Sequence, residues 1–236
     1  MSRVHSTSAA GPFPANRRQA VALLGGGLAA SFAQGAGRAM AAATTTPPDM
    51  LFDVYRNGDR IGSHAMRFKA DAGGLAVSSR VELAVKMAFI TVYRYQQTGQ
   101  DEWRDGVLVG THIETDDNGK KSLVVAKSEQ GKLAVQGPTG AYETDFGPMT
   151  DLSFWNDGIT KAPPVIDSQT AELITMAVQP GSSETIQVLG QPVDTRRYTM
   201  AATKGRSGTV WYDATGKLVK AIVITRGETL GYELTA

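Results

Sequence analysis

The stretch VSSRVELAV, from Val77 to Val85, decides the class of fold because apolar and polar residues alternate along it with a period of two. Val77, Ser79, Val81, Leu83 and Val85 share one face. The residues between them, including Ser78, Arg80 and Glu82, share the other. Successive side chains of a β-strand point to opposite faces, so this pattern predicts a strand with one buried face.

Turn signals recur on both sides of this strand at intervals of about ten residues. The segment from Leu51 to Ala70 divides into two strands around Asn57-Gly58, a dipeptide that favours tight hairpins. Similar turns are expected at Asn118-Gly119, Gln130-Gly131, Thr215-Gly216 and Gly227-Glu228. The sequence therefore predicts a mainly β protein, with an antiparallel curved sheet or half-open β-barrel.

One segment, Gly147 to Leu173, lacks the alternation. Thr150-Asp151 precedes Leu152, Phe154 and Trp155, a combination that predicts one short helical segment with a capped start. Pro163-Pro164 then interrupts the chain. We expect this segment to cross over or plug the sheet between two runs of meandering strands.

Residues 1–43 have a different composition, with four arginines and no acidic residue. The pair Arg17-Arg18 precedes an apolar run, Ala20 to Phe32, and small residues around Ala41 and Ala43 suit a signal peptidase. This order is typical of a signal helix, and the paired arginines indicate a twin-arginine signal. The run is too short and too rich in glycine to be a permanent membrane anchor.

The chain is thus expected to comprise a twin-arginine-like signal peptide (1–43), a flexible tail (44–49) and a single antiparallel β domain (50–236). The expected partners are the twin-arginine export machinery and signal peptidase, and the expected location is the periplasm or the cell exterior.

Composition excludes several classes of function. Without the four arginines of residues 1–43, 20 basic and 23 acidic residues remain, a net charge near −3 that argues against nucleic-acid binding. The chain has no cysteine, which excludes thiol nucleophiles and cysteine-ligated metals. No phosphate loop, dinucleotide fingerprint or nucleophile elbow is present, so no cofactor and no catalytic residue are predicted.

Three stretches together resemble a known family: FDVYRNGDRIGSHAMRF from Phe52, SFWNDGITKAPPVIDSQTAEL from Ser153, and YTMAATKGRSGTVWYDATGKLVKAIV from Tyr198 with YEL at residues 232–234. The chain is similar to exported bacterial β-rich proteins known only as a domain of unknown function. The resemblance spans nearly all of the chain after the signal peptide. It implies an antiparallel β domain outside the cytoplasm and assigns no catalytic residue.

One candidate metal site lies in the segment HIETD. His112, Glu114 and Asp116 are two residues apart, so all three point to the same side of one strand. An imidazole and two carboxylates suit Zn²⁺ or Mn²⁺. A solvated polar face shows the same pattern and is the simpler interpretation. His64 alternates with apolar neighbours and is expected in the core or at its rim.

The aromatic residues indicate a candidate ligand cavity. Phe89, Tyr93 and Tyr95 share one face of a strand, and the run from Met87 to Val92 is apolar on both faces, as in a strand covered on both sides. Phe154 and Trp155 are expected to roof this strand, with Trp211 also nearby. The interior of a half-closed barrel either holds a ligand or is filled by its own side chains, and ordinary core packing remains the simpler interpretation.

The leading hypothesis is an exported, non-enzymatic binder or carrier of an apolar or lipid-like ligand. The alternatives are a metal-dependent or carboxylate-based hydrolase and a cell-envelope scaffold that pairs through its edge strands.

The leader gives the first prediction. Replacing Arg17-Arg18 by two lysines is expected to stop export, because the twin-arginine machinery recognises the paired guanidinium groups. Mass spectrometry of the exported chain should find a first residue of Ala42 or Thr44. Export of the dilysine variant at the wild-type rate would contradict the assigned route.

Overall fold

The structure is a computed structural model that describes residues 46–71 and 73–236. The signal helix expected within residues 1–43, with Arg17, Arg18, Ala41 and Ala43, lies outside the described residues. In the part of the flexible tail that is described, residues 46–49, no regular secondary structure forms, and the Asp49 carboxylate accepts a hydrogen bond from the Phe68 N–H at 3.0 Å. No helix among the described residues is long and apolar enough to cross a bilayer.

The described residues form one compact unit built almost entirely of strands. The strands are β1 Met50–Arg56, β2 Asp59–Asp71, β3 Gly74–Met87, β4 Ile90–Arg104, β5 Val107–Asp117, β6 Lys120–Glu129, β7 Lys132–Gly137, β8 Gly140–Thr144, β9 Met149–Thr150, β10 Val165–Ile166, β11 Leu173–Ile174, β12 Met176–Val188, β13 Gln191–Ala202, β14 Ser207–Asp213, β15 Leu218–Thr225 and β16 Glu228–Leu234. Short 3₁₀ helices cover Ser153–Trp155, Asp157–Lys161 and Thr203–Gly205.

Thirteen of the strands form a single antiparallel sheet in the order β12-β13-β14-β15-β16-β1-β2-β3-β4-β5-β6-β7-β8. The first strand lies in the middle of this order because β1 pairs with both β2 and the final strand, β16. The edge strands β8 and β12 do not pair with each other, so the sheet is not closed. The predicted mainly β fold with an antiparallel, unclosed sheet is confirmed.

The alternation in β3 is also confirmed. Val77, Ser79, Val81 and Leu83 are buried, whereas Ser78 and Arg80 on the other face are exposed. The turn Asn57-Gly58 has the positive φ angles of +53° and +88° that a two-residue hairpin of this kind needs. The last turn is displaced by one residue: it lies at Arg226-Gly227, not at the predicted Gly227-Glu228.

The segment from Asp145 to Thr175 connects the two edge strands, and we call it the crossover. It holds a small second sheet in which β9 and β10 are parallel and β10 and β11 antiparallel. Ile159 and Ile166 are fully buried, so this segment contributes to the core. Burying each such side chain contributes roughly 1.5–3 kcal/mol.

The helical segment was predicted within residues 150–155, and the first 3₁₀ helix does fall there. The predicted cap is wrong, however, because Thr150 belongs to β9 and the residue before the helix, Leu152, makes no side-chain cap. The Thr150 hydroxyl donates to the buried Asp101 carboxylate at 3.2 Å. The second 3₁₀ helix is capped by Asn156, whose side chain accepts from the Gly158 N–H.

The run from Met87 to Val92 differs from the expected strand covered on both sides. It forms the tip of the β3–β4 hairpin, where Met87 is 68% exposed and Phe89 is fully exposed. The pairing of β2 with β3 ends at Leu83, and the pairing of β5 with β4 ends at Tyr95. The tip therefore projects beyond its neighbouring strands, and all residues from Met87 to Val92 are exposed.

The close approach of β2 and β3 gives the second prediction. A Cβ atom on Gly62 would collide with the carbonyl oxygen of Glu82. Gly62→Ala is therefore expected to lower the free energy of unfolding by about 1–3 kcal/mol, measured by urea denaturation. Gly231→Ala is the matched control, since a Cβ atom there meets nothing within 4 Å. Equal stabilities of the two variants would contradict this packing.

Candidate functional site

A cavity of about 640 Å³ lies between the inner face of the sheet and the crossover. Its walls come from the two halves of the sheet, β1–β4 on one side and β12–β16 on the other, and from the crossover. These are the strands on which the alternating apolar residues point inward. The cavity thus occupies the part of the interior that the crossover leaves unfilled.

Most of the cavity wall is apolar. On the sheet it includes Phe52, Met66, Val81, Leu83, Val210 and Leu218, all of which are buried in the core. The crossover adds Leu152, Phe154 and Ile174. Such a surface suits an apolar ligand because contact with it removes apolar area from water.

One group of polar wall residues centres on Arg206, just before β14. Its guanidinium Nη1 lies 2.6 Å from an Asp167 oxygen and 3.2 Å from an Asp151 oxygen. Burial raises the pKa of Asp151 to about 6, and the negative charge of Asp167 acts in the same direction. The Ser168 N–H also donates to Asp151, at 3.1 Å, which together with Arg206 offsets part of that rise.

Gln97 on β4 extends this polar region across the cavity. Its side-chain amide donates to the hydroxyls of Thr115 and Ser168, each at 2.9 Å. Ser168 belongs to the crossover, so this hydrogen bond joins the crossover to the first half of the sheet. Gln97 is buried, and both bonds run between buried side chains.

A second polar group connects β4 to the last hairpin. The Asp117 carboxylate accepts from the Tyr93 hydroxyl at 2.7 Å and from Arg226 at 2.6 Å. Arg226 also donates to the Gln169 side chain at 3.0 Å, and Gln169 donates to the Tyr95 hydroxyl at 3.2 Å. Burial alone would raise the pKa of Asp117, but the bonds from Tyr93 and Arg226 outweigh it and lower that pKa.

Three of the six predicted cavity residues line the cavity: Tyr93, Tyr95 and Phe154. Burial raises the pKa of Tyr93 to about 12, so its hydroxyl stays a hydrogen-bond donor at neutral pH. The pKa of Tyr95 is also raised by burial. The alternation on β4 predicted these two residues because it holds from Tyr93 onward.

Phe89, Trp155 and Trp211 lie elsewhere. A bulge at Val85/Lys86 and the turn before Ile90 break the alternation, so Phe89 does not share the inward face. Trp155 packs edge-on against Trp103 and Phe68, with ring centroids 5.5 and 5.0 Å apart. Trp211 follows inward-facing Val210, and its indole N–H donates to Glu184 at 2.7 Å.

His64 lines the cavity, in agreement with the expected core or rim position. Burial lowers its pKa to about 4, so the imidazole is neutral at physiological pH. Its ring meets the Tyr232 ring edge-on at 6.2 Å. Arg206 and Asp151 were not singled out from the sequence as cavity residues, and no local pattern connects the two.

The predicted metal residues His112, Glu114 and Asp116 follow one another along β5. His112 Nε2 lies 3.3 Å from Glu114 Oε1, and both side chains are more than half exposed. Asp116 instead accepts from the Gly119 N–H at 2.7 Å, closing the turn after β5. Among residues 46–71 and 73–236, no group of three or more histidine or acidic side chains could hold a metal ion. The geometry corresponds to a solvated strand face.

Comparison with known proteins extends the sequence resemblance. No curated protein matches the chain. The fold is similar to the crystal structure of a β-barrel-like protein of domain of unknown function DUF1849 from Brucella abortus, with a TM-score of 0.55 and 12% sequence identity. The alignment covers 79% of this chain and 94% of that chain, which shows a common fold.

The chain belongs to the family described as domain of unknown function DUF6134, which it matches over residues 52–235. The resemblance to a β-rich domain of unknown function is thereby confirmed. The matched range includes every residue that lines the cavity.

The buried Asp101 gives the third prediction. Thr111 donates to it at 2.5 Å and Thr150 at 3.2 Å, and burial raises its pKa from 3.8 to about 6. The folded protein therefore holds this proton more tightly than the unfolded chain does. The contribution of Asp101 to the free energy of unfolding is complete below about pH 4 and is lost as the pH rises through about 6. The full change is up to about 3 kcal/mol.

Asp101→Asn, which stays neutral, is expected to raise the free energy of unfolding above pH 6 and to weaken its dependence on pH between 4 and 6. Denaturant titrations across this range measure the effect, and the contribution of Asp151 remains in the variant. Asp145→Asn, at an exposed position, is the control. If Asp101→Asn keeps the wild-type pH dependence of stability, folding does not raise the pKa of Asp101, and the prediction is wrong.

Proposed function

We propose that this DUF6134 protein is an exported, non-enzymatic carrier or binder that holds an apolar or lipid-like ligand in the cavity. The observation that supports this most directly is the cavity itself, about 640 Å³ with walls that are mostly apolar. Small-molecule sites commonly measure about 300–1,000 Å³, so the space suits one chain-like or ring-containing apolar molecule.

The polar groups suit the orientation of such a ligand. Arg206 with Asp151, and Arg226 with Gln169, lie in the same wall as the apolar residues. An amphipathic molecule can place its apolar part against Phe52, Leu83 and Leu218 and its polar end against these hydrogen-bonding groups. A few fixed polar groups in a mostly apolar wall are typical of sites that orient a ligand.

The protonation and pairing of the titratable groups in the cavity also favour ligand binding over catalysis. His64 is neutral and next to an aromatic ring, and Arg206 is shared between two carboxylates. A general base works best when its pKa lies near the operating pH, and the pKa of His64, about 4, makes its free imidazole nitrogen a weak base. The charged side chains around Arg206 and Asp117 are bound to one another in ion pairs. These pairs hold the wall of the cavity in place.

Export is the second part of the proposal. The leader with Arg17-Arg18 and the small residues at Ala41 and Ala43 supports a periplasmic or extracellular location. The domain has no cysteine, so it needs no disulfide and no oxidising compartment in order to fold. A carrier of this kind would move an apolar molecule through water between two membranes or proteins.

Two neighbouring alanines on β13 provide the fourth prediction. Ala202 lines the cavity, whereas Ala201 faces outward and is exposed. Ala202→Phe fills part of the cavity and is expected to weaken binding of a dansyl-labelled fatty acid by about 10-fold or more, because displaced chain carbons lose roughly 0.8 kcal/mol per CH₂. Fluorescence titration measures the dissociation constant.

Ala201→Phe is the matched control and should bind the probe as the wild type does. Thermal unfolding of both variants establishes that neither change disrupts the sheet. Equal binding by the wild type and both variants would place the probe outside the cavity. No binding of the probe by any of the three proteins would contradict the lipid-like ligand.

A further inference from the structure

The tip of the β3–β4 hairpin stands free of the rest of the sheet. β3 and β4 are the longest strands in the described part of the chain, with 14 and 15 residues. Residues 84–93 pair in the sheet only with one another, since β2 reaches no further than Leu83 and β5 no further than Tyr95, with Asn118 of the turn after β5 bonded to Arg94. Sheet formation therefore gives no reason for this extension to be apolar.

The tip nevertheless carries large apolar side chains. Phe89 is 100% exposed, Ile90 70%, Met87 68% and Val92 45%. Single apolar residues are common on protein surfaces, but a contiguous cluster on a projecting element marks a surface that meets an apolar partner.

The charges carried by the hairpin itself are all positive, and the neighbouring Asp117, which accepts from the Tyr93 hydroxyl, is paired with Arg226. From Leu83 to Gln100 the sequence contains no acidic residue, and Lys86 and Arg94 lie on the two strands of the tip with exposed side chains. The chain as a whole has nearly equal numbers of acidic and basic residues, so this stretch stands out. Apolar side chains flanked by cations complement the surface of an anionic phospholipid layer.

The tip also forms part of the cavity wall. Met87 and Val92 line the cavity although both are substantially exposed, so they lie where the cavity meets solvent. Tyr93, the next residue along β4, lines it as well. A surface that contacts this tip therefore lies beside the opening of the cavity.

We propose that the hairpin tip, Val85 to Arg94, docks the protein on an anionic phospholipid bilayer. Phe89, Met87 and Ile90 enter the boundary between headgroups and acyl chains, and Lys86 and Arg94 contact the lipid phosphates. This inference goes beyond the binding of a ligand in the cavity, because it concerns the bilayer surface and needs no ligand.

Sedimentation of the full chain with vesicles tests the docking. The wild type is expected to bind vesicles of phosphatidylethanolamine and phosphatidylglycerol more strongly than vesicles of phosphatidylcholine alone. Phe89→Asp is expected to lower the partition coefficient at least ~10-fold, because a charge replaces the phenyl group that enters the bilayer. All variants carry the same leader, so differences between them report on the tip.

Leu189→Asp is the matched control. Leu189 is an exposed apolar residue in the turn between β12 and β13, 59% exposed, and lies outside the tip. This variant should bind vesicles as the wild type does. Lys86→Ser combined with Arg94→Ser should abolish the preference for the anionic vesicles while retaining weak binding to both kinds.

Tryptophan placed at the tip gives an independent measurement of insertion. In Phe89→Trp, the added fluorescence should shift to shorter wavelength on anionic vesicles and be quenched by brominated lipid. Leu189→Trp should show neither change. The native Trp103, Trp155 and Trp211 are buried and provide a constant background.

Equal vesicle binding by Phe89→Asp and the wild type would overturn the proposal, as would an unquenched tryptophan at position 89. A concentration-dependent dimer that Phe89→Asp abolishes, without any vesicle binding, would assign the tip to a second copy of the chain and equally overturn it. These outcomes do not depend on whether the cavity binds the fatty-acid probe. The docking proposal and the cavity proposal can therefore fail independently.

Discussion

The structure depends on one constraint: a thirteen-stranded sheet that does not close must have its inner face covered. The crossover meets this need because it begins after one edge strand and ends before the other. It places Ile159, Ile166 and Ala171 in the core. Without this cover the inward apolar residues of both halves of the sheet would face water, at a cost that scales with their area.

Hydrogen bonds hold the crossover to both halves of the sheet. The Tyr142 hydroxyl on β8 donates to the Ala171 carbonyl at 2.9 Å, and the Tyr212 hydroxyl on β14 donates to the Phe154 carbonyl at 2.7 Å. Arg206 adds its bonds to Asp151 and Asp167. These contacts satisfy polar groups of a segment with little regular structure, since unpaired polar groups in the interior would be destabilising. The cavity is the space that remains beneath this cover.

Alternation and turn chemistry made the sheet predictable from the sequence. Strands and hairpins depend mainly on residues close together in the sequence. Such residues include the alternating run Val77 to Leu83 and the turn Asn57-Gly58. Phe89 shows the limit of this reasoning. Its residue type and spacing suggest the inward face, but a bulge and a turn remove it from that face. A one-residue change in register reverses the direction of every following side chain.

The polar part of the candidate site depends on contacts between distant segments. Arg206 pairs with Asp151 and Asp167 because the start of β14 lies next to the crossover in the fold. No spacing in the sequence predicts this contact. His112, Glu114 and Asp116 show the opposite case. Their spacing was visible, yet consecutive same-face positions of one strand spread side chains along the surface. Coordination of a metal ion needs ligands that converge.

Our proposal assigns an apolar or lipid-like molecule to the cavity in the cell. The most direct test is mass spectrometry of the protein isolated from its own cells, first under native and then under denaturing conditions. We expect a native mass that exceeds the denatured mass by that of one small apolar or amphipathic molecule, and we expect this excess to fall in Ala202→Phe. Equal masses under both conditions, with the cavity unfilled by any cellular molecule, would contradict it.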